Sequence, residues 1–309
     1  MTPGAAGLLT GPGTSLTWNI GSDISQVLAF HFMVNAVRAG TIIAVAAGVI
    51  GWFMILRRQS FAGHTLAVVA FPGASGAILL GLPAAAGYFG FCIAAALLIA
   101  AAPRSQADTG FSAESAVIGT VQAFALACGF LFVSLYKGFL DGITGLLFGS
   151  FLGITDSQVL TLLAAAAAAL SVLAVTGRPL FFASTDPDVA AARGVPVRAL
   201  SVVFLVLLGV AAAEVSQITG ALLVFALLVM PAAAAQQLTA RPALSLPLTV
   251  IIALAVTWLG LGVSYFSVYP VGFFVTTFGF AAYVLAVAAR QAADRLGRRP
   301  RPAKIAVSA

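Results

Sequence analysis

Apolar residues along this 309-residue chain fall in long continuous runs and not in the strict alternation of half-buried strands. Nine runs stand out, at about 30–56, 61–80, 84–102, 114–136, 158–176, 199–213, 219–236, 246–266 and 270–289. A helix needs about 20 apolar residues to cross a bilayer, and only helices or closed barrels satisfy their backbone groups there. Runs this long predict helices. The second is weakened by its glycines and the sixth by its shortness. The stretch "KGFLDGITGLLFGSFLGITDS" (137–157) is too broken by Gly and Asp for an ordinary span, and predicts a half-helix or re-entrant element. The expected fold class is an all-α polytopic membrane protein with about nine transmembrane helices, seven to nine being compatible with the weaker runs.

Composition agrees. Hydrophobic residues make up 61% of the chain and charged residues 8%, with a mean hydropathy of +1.09. A soluble domain carries charge on roughly a quarter of its residues, so a water-facing surface cannot be built from this chain. The net charge of +6 does not indicate nucleic acid, because the basic residues stand singly between apolar runs and then gather at the C-terminus. Before Arg38 there is no Lys or Arg, so the start lacks the basic region of a signal peptide. Residues 1–29 read as a loose or interfacial tail, 30–289 as one transmembrane domain and 290–309 as a basic tail. Cys92 and Cys128 both fall in apolar runs and read as small buried residues, not as a disulfide framework.

The basic residues set the orientation. With the N-terminus outside, Arg57, Arg58, Arg104, Arg178, Arg193, Arg198, Arg241, Arg290, Arg295, Arg298, Arg299, Arg301 and Lys304 all fall on the cytoplasmic side. Only Lys137 falls outside, and Arg38 lies within or beside the first span. The positive-inside rule therefore predicts an outer N-terminus and a cytoplasmic C-terminus. A full crossing by 137–157, or a weak span that fails to cross, would reverse the N-terminus.

One cytoplasmic loop carries structure of its own: "GRPLFFASTDPDVAAARGVPVRAL", from Gly177 to Leu200. Thr185 or Asp186 can cap a helix that begins at Pro187, whose missing N–H would be orphaned there anyway. Asp188 suits the first turn, Arg193 falls in the last turn, and Gly194 closes the helix before Pro196. A helix of about two turns is expected between two spans. It is either a plain connector or a docking element for a cytoplasmic partner. The sequence has no Walker A loop, since neither Lys137 nor Lys304 completes one. Any ATPase that powers this chain would have to be a separate protein, and this loop is where it would dock.

The chain resembles the permease subunits of bacterial metal-type ABC importers, the ABC-3 family, whose members carry zinc, manganese or iron. The likeness is carried by "LRRQSFAGHTLAVVAFPGASGA" (56–77), "LLFGSFLGITDSQV" (146–159), "PLFFASTDPDVAAARGVPVRAL" (179–200) and "GALLVFALLVMPAAAA" (220–235). "YPVGFFVTTFGFAAYV" (269–284) is a weaker fifth stretch, and the whole covers residues from about 30 to 290. The resemblance implies a pair of permeases around a central pathway, a separate ABC ATPase under each docking helix, and an extracytoplasmic solute-binding protein. It implies a transport subunit and no enzyme, with no resident cofactor, the metal being substrate. In many relatives the second span carries a Gly-Asp-x-x-x-His pattern facing the pathway. The matching positions here are His64 and Val68, so imidazole stands in the carboxylate position and valine in the histidine position.

His64 is thus the candidate pathway residue and metal contact. Imidazole is a good ligand for zinc and related ions, while carboxylates suit harder manganese. Doubled by two-fold symmetry, His64 would give two nitrogen ligands, a transient waypoint in place of a closed site. The alternative is a histidine hydrogen-bonded near a membrane boundary. Ionisable groups inside a membrane are costly and are read first as functional. His31, Asn35 and Arg38 follow i, i+4, i+7 spacing and could share one helix face near the outer end. Glu214 and Gln217, at the outer junction of the sixth and seventh spans, together with Asp156 and Asp141, are candidate entrance residues or solvated loop residues. Glu114 reads as interfacial. Pro72, Gly73, Gly76 and Ala77 in "PGASGA" predict a kinked helix packed closely inside the bundle.

Together these expectations describe a multi-pass permease in a bacterial inner or plasma membrane, moving a divalent transition-metal cation inward. The alternatives are the same fold carrying a chelated metal or a non-metal solute, an ion-gradient-driven secondary transporter, or a non-transporting scaffold.

Overall fold

The computed structural model describes residues 29–101, 110–136, 153–221 and 224–297, together with Gln26 and Leu146–Leu147. Among these residues there is no strand. The helices are α1 (His31–Leu56), α2 (Ser60–Leu79), α3 (Ala84–Ala101), α4 (Gly110–Leu135), α5 (Asp156–Thr185), α6 (Pro187–Ala192), α7 (Val197–Thr219), α8 (Val224–Leu238), α9 (Pro242–Tyr265) and α10 (Val271–Gly297). Eight of them are long and apolar enough to cross a membrane. The seventh expected span corresponds to α8, which at 15 residues is about 22 Å long, short of the ~30 Å hydrocarbon core. The expected run begins at 219, but Gly220 turns the chain with φ +77°, and α8 starts only at Val224.

The bundle is built around α1 and α7, which pack on each other. α2, α3 and α4 form one flank, joined to α7 through α3 and α2; α8, α9 and α10 form the other, joined to α1 through α9 and α8. α5 lies against both central helices. In its most apolar window α2 is 83% buried and α4 only 17%, so α2 is enclosed while α4 turns Phe124, Phe130 and Leu131 outward, as a lipid-facing helix does.

Small residues explain how α2 becomes enclosed. A Cβ at Gly73 or at Gly87 of α3 would overlap the other glycine's carbonyl oxygen. A Cβ at Gly76 would lie 2.9 Å from the Phe132 ring of α4, and one at Gly129 would lie 2.9 Å from the Phe71 ring of α2. With no side chain in the way, the backbones of α2 and α3 touch. Pro72 does not end α2, which runs unbroken through it to Leu79.

Three boundaries differ from the sequence expectation. The apolar pattern ends α5 at 176, but the helix continues through Gly177 and Pro179 to Thr185, because the extension is packed. Phe181 stacks on Trp52 with ring centroids 6.2 Å apart, and Leu180 is 1% exposed. The first nine residues of the expected loop, 177–185, are therefore helix. The pattern ends α7 at 213, before Glu214, yet this helix runs to Thr219 with Glu214 fully enclosed. α10 runs on through Arg290 and Arg295 to Gly297, so the start of the basic tail is helical. The expected half-helix or re-entrant element at 137–157 lies largely outside the described residues, as do residues 1–25.

Contacts between helix ends show which ends share a side of the bundle. At one side Arg57 meets Ser184 and Ser201, Trp52 Nε1 donates to Ser245 Oγ at 3.0 Å, and Arg290 donates to Gln237 at 2.9 Å. At the other, His31 meets Asp156, Phe30 meets Tyr265, and the Ala221 amide donates to the Leu146 carbonyl. Arg57, Arg58, Arg178, Arg193, Arg198, Arg241, Arg290 and Arg295 belong to the first side, as the charge pattern requires.

Candidate pathway and docking site

His64 sits in the second turn of α2, half-buried. Its ring meets Phe225 of α8 edge-on, with centroids 5.1 Å apart. Val68, one turn further along, is 7% exposed, so the position that would have carried a second ligand is packed over. Thr65 donates to Gln122 Oε1 of α4 at 2.9 Å, which fixes the rotation of α2 about its axis. Among the described residues, no group of three or more His, Cys, Asp or Glu is placed to hold a metal ion. One chain supplies one imidazole here, so a metal held at His64 would need further ligands from its own water or a second subunit.

At the opposite end, Asp156 is brought to His31. The carboxylate Oδ2 lies 3.2 Å from His31 Nε2, and Asn35 Nδ2 donates to the Ile154 carbonyl at 3.2 Å and lies 3.5 Å from His31 Nε2. Thr155 caps α5 in a capping box with Gln158, which places Asp156 in the first turn beside its partner. The His31 and Asp156 side chains are 73% and 70% exposed. Arg38, expected on the same face, is exposed one turn beyond the buried Asn35. Asp156 is thus a solvent-open residue beside His31, at the end of the bundle away from Arg57.

Glu214 and Gln217 are not so open. The expected outer junction is the interior of α7, and Glu214 is 0% exposed. Both Glu214 carboxyl oxygens and Gln217 Oε1 are buried without a hydrogen-bond partner, while Gln217 Nε2 donates back to the Ala213 carbonyl at 3.4 Å. A pair set inside one protomer forms no open entrance, and the physical reason is the extra turn and a half of α7 packed against its neighbours. Buried acceptors without donors are costly, so an apolar replacement of similar size is expected to stabilise. Glu214→Leu should raise the unfolding temperature of the detergent-solubilised chain, by roughly 1–3 kcal/mol of stability; thermal unfolding against the parent chain checks it. Asp141 and Arg104 lie outside the described residues, as does the Glu114 side chain.

The docking segment has the local structure that its residues predict. Asp186, and not Thr185, caps α6: its side chain accepts from the Val189 amide at 3.0 Å, while Thr185 ends α5 with its hydroxyl turned back to the Phe181 and Phe182 carbonyls. Pro187 takes the first helical position and Asp188 the first turn. Arg193 is the C-cap residue, and Gly194 follows at φ +80°, a backbone conformation that suits glycine. Ala190 is 0% exposed and seats α6 on the bundle, while Val189 is 44% exposed. A short capped helix therefore sits at the arginine-rich end with Val189 outward.

Comparison with known proteins gives the same outline. The chain is 29% identical over 212 residues to the manganese import system permease protein ScaB of Streptococcus parasanguinis, covering 69% of this chain and 74% of the relative. It is 30% identical over 219 residues to the chelated iron transport system membrane protein YfeC of Yersinia pestis, covering 70% and 72%. In structure it matches PsaBC from Streptococcus pneumoniae, solved with a Fab, at a TM-score of 0.78 and 25% identity, over 90% of this chain and 99% of that one. The family model for the ABC 3 transport family matches residues 29–290, nearly the whole described bundle. The chain is a multi-pass membrane transport subunit and belongs to the ABC 3 transport family.

Proposed function

We propose that this chain is the permease of an ATP-driven importer that moves a divalent transition-metal cation, manganese first and zinc second, toward the side bearing α6. The observation that carries the proposal is α6 itself: a capped helix seated on the bundle through Ala190, with Val189 outward, at the arginine-rich end. The positive-inside rule makes that end cytoplasmic, which leaves the N-terminus outside and the C-terminus inside. Relatives named for manganese import support the substrate. No bond is made or broken by this chain. A separate ABC ATPase would press on α6, a second permease copy would complete the pathway, and a solute-binding protein would deliver the ion at the His31–Asp156 side.

His64 is the pathway ligand in this scheme. Paired with the same residue of a second copy it offers two nitrogens, enough to pass an ion on without trapping it. In vesicles holding the permease and its ATPase, His64→Ala is expected to raise the half-saturating Mn²⁺ concentration by about tenfold, the loss of about 1.4 kcal/mol of binding. Uptake equal to the parent's would remove the ligand role. Accumulation of Mn²⁺ without any ATPase would sink the proposal as a whole. Because one relative is named for chelated iron, a metal chelate is the second substrate to test in the same vesicles.

A further inference from the structure

Arg57 counts in the sequence only as one more topological charge, yet its guanidinium joins three elements. Nη1 donates to Ser184 Oγ at 3.0 Å, Nη2 to Ser201 Oγ at 2.8 Å and Nε to Gln59 Oε1 at 3.4 Å. Its Cζ lies 5.3 Å from the centroid of the Phe204 ring. Ser184 stands one residue from the end of α5 and Ser201 lies at the start of α7; all of α6 is strung between them. Each serine hydroxyl donates its own proton one turn back, Ser184 to the Leu180 carbonyl and Ser201 to the Val197 carbonyl. Each therefore presents only lone pairs to the arginine. One planar cation thus holds together the two roots of the α6 segment.

The same residue is the C-cap of α1. Arg58 comes next at φ +56°, the Gln59 amide returns to the Met54 carbonyl at 3.0 Å, and α2 begins at Ser60 with His64 in its second turn. The turn is tight, so a displacement of the roots of α6 reaches the first turns of α2 through this side chain, alongside the direct packing of α7 on α2. We propose that Arg57 is the positioning residue that passes movement of α6 to α2 and so ties ATP use to the position of His64. This rests on the reading of α6 as the ATPase-docking element. Lysine keeps the charge but not the planar fork, so its single nitrogen does not reproduce the separate Nη1 and Nη2 contacts to the two serines.

The test measures, in one preparation of vesicles holding the permease, its ATPase and its binding protein, both Mn²⁺ accumulated and ATP hydrolysed. For Arg57→Lys, hydrolysis and assembly with the ATPase are expected to stay near the parent's while Mn²⁺ moved per ATP falls by about tenfold. The double variant Ser184→Ala with Ser201→Ala keeps the guanidinium and removes both hydroxyls, and is expected to show the same fall, so it carries the test should Arg57→Lys not assemble. A proportional fall of uptake and hydrolysis would make Arg57 a structural residue and overturn the inference, as would an unchanged ratio in both variants. If the parent vesicles accumulate no Mn²⁺ on addition of ATP, the transport reading itself fails and the inference with it. Parent activity beside an unchanged ratio overturns the inference alone.

Discussion

Gly87→Leu is expected to abolish recovery of folded protein from the membrane. In the α2–α3 crossing, a single methyl on Gly87 already overlaps the Gly73 carbonyl oxygen and would lie 2.7 Å from the Ala77 Cβ. The obstacle is backbone, which no rotamer change can move aside. Overpacking a core with a flexible neighbour costs about 1–3 kcal/mol, and a clash with backbone exceeds that range. The helices must separate, and α2 then loses its contact with Phe91 of α3 as well. The control lies on the same helix: a Cβ at Gly90 meets nothing within 4 Å, so Gly90→Leu should yield a normal, monodisperse peak in size-exclusion chromatography where Gly87→Leu yields none. Equal yields of the two variants would contradict the packing described for α2 and α3.

Ala190→Glu is expected to separate this subunit from its energy source while leaving the bundle folded. Ala190 is 0% exposed, and its amide and carbonyl both serve the α6 turn, bonding to the Asp186 carbonyl and the Val195 amide at 3.1 and 3.0 Å. A carboxylate forced into that contact has no partner and must return to water, at a cost of several kcal/mol if it stays. α6 would lift from its seat. The spans on either side, α5 and α7, are held to the rest of the bundle by long buried faces and do not need α6 to stay in place. Co-purification with the ATPase and ATP-dependent Mn²⁺ uptake should both fall by about tenfold or more, with the thermal unfolding curve of the isolated permease near that of the parent. Full uptake in this variant would show that α6 is only a connector.

The helical class, the family and the capped α6 helix were legible in the residues because each is carried by short stretches of sequence. Continuous apolar length states the need to cross a bilayer. Asp186, Pro187 and Gly194 each act on their own few backbone groups, so the sequence located α6 to within a residue. The errors fall where a local signal was overruled at a distance. The apolar run ends at 176, and packing of Phe181 on Trp52, far away in sequence, carried α5 past it to Thr185. Glu214 looked like a loop residue because a buried carboxyl is costly, yet the packing of α7 encloses it. For the candidate site, the position of His64 on α2 was readable, but its edge contact with Phe225 and the closing over of Val68 were not, since both depend on neighbours from other helices.

Length, hydropathy and short-range backbone chemistry determined, from the sequence alone, a polytopic helical bundle, its arginine-rich end, and a capped knob between two spans. Tertiary structure decided which polar groups meet. It placed Asp156 against His31, left Glu214 inside the protomer without a partner, and gathered Ser184 and Ser201 onto the single guanidinium of Arg57. Those pairings join residues 125, 127 and 144 positions apart. Helix propensity and hydropathy act over a few turns at most and cannot specify them. They arise when α1 packs against both α5 and α7 and so sets which ends come to lie together.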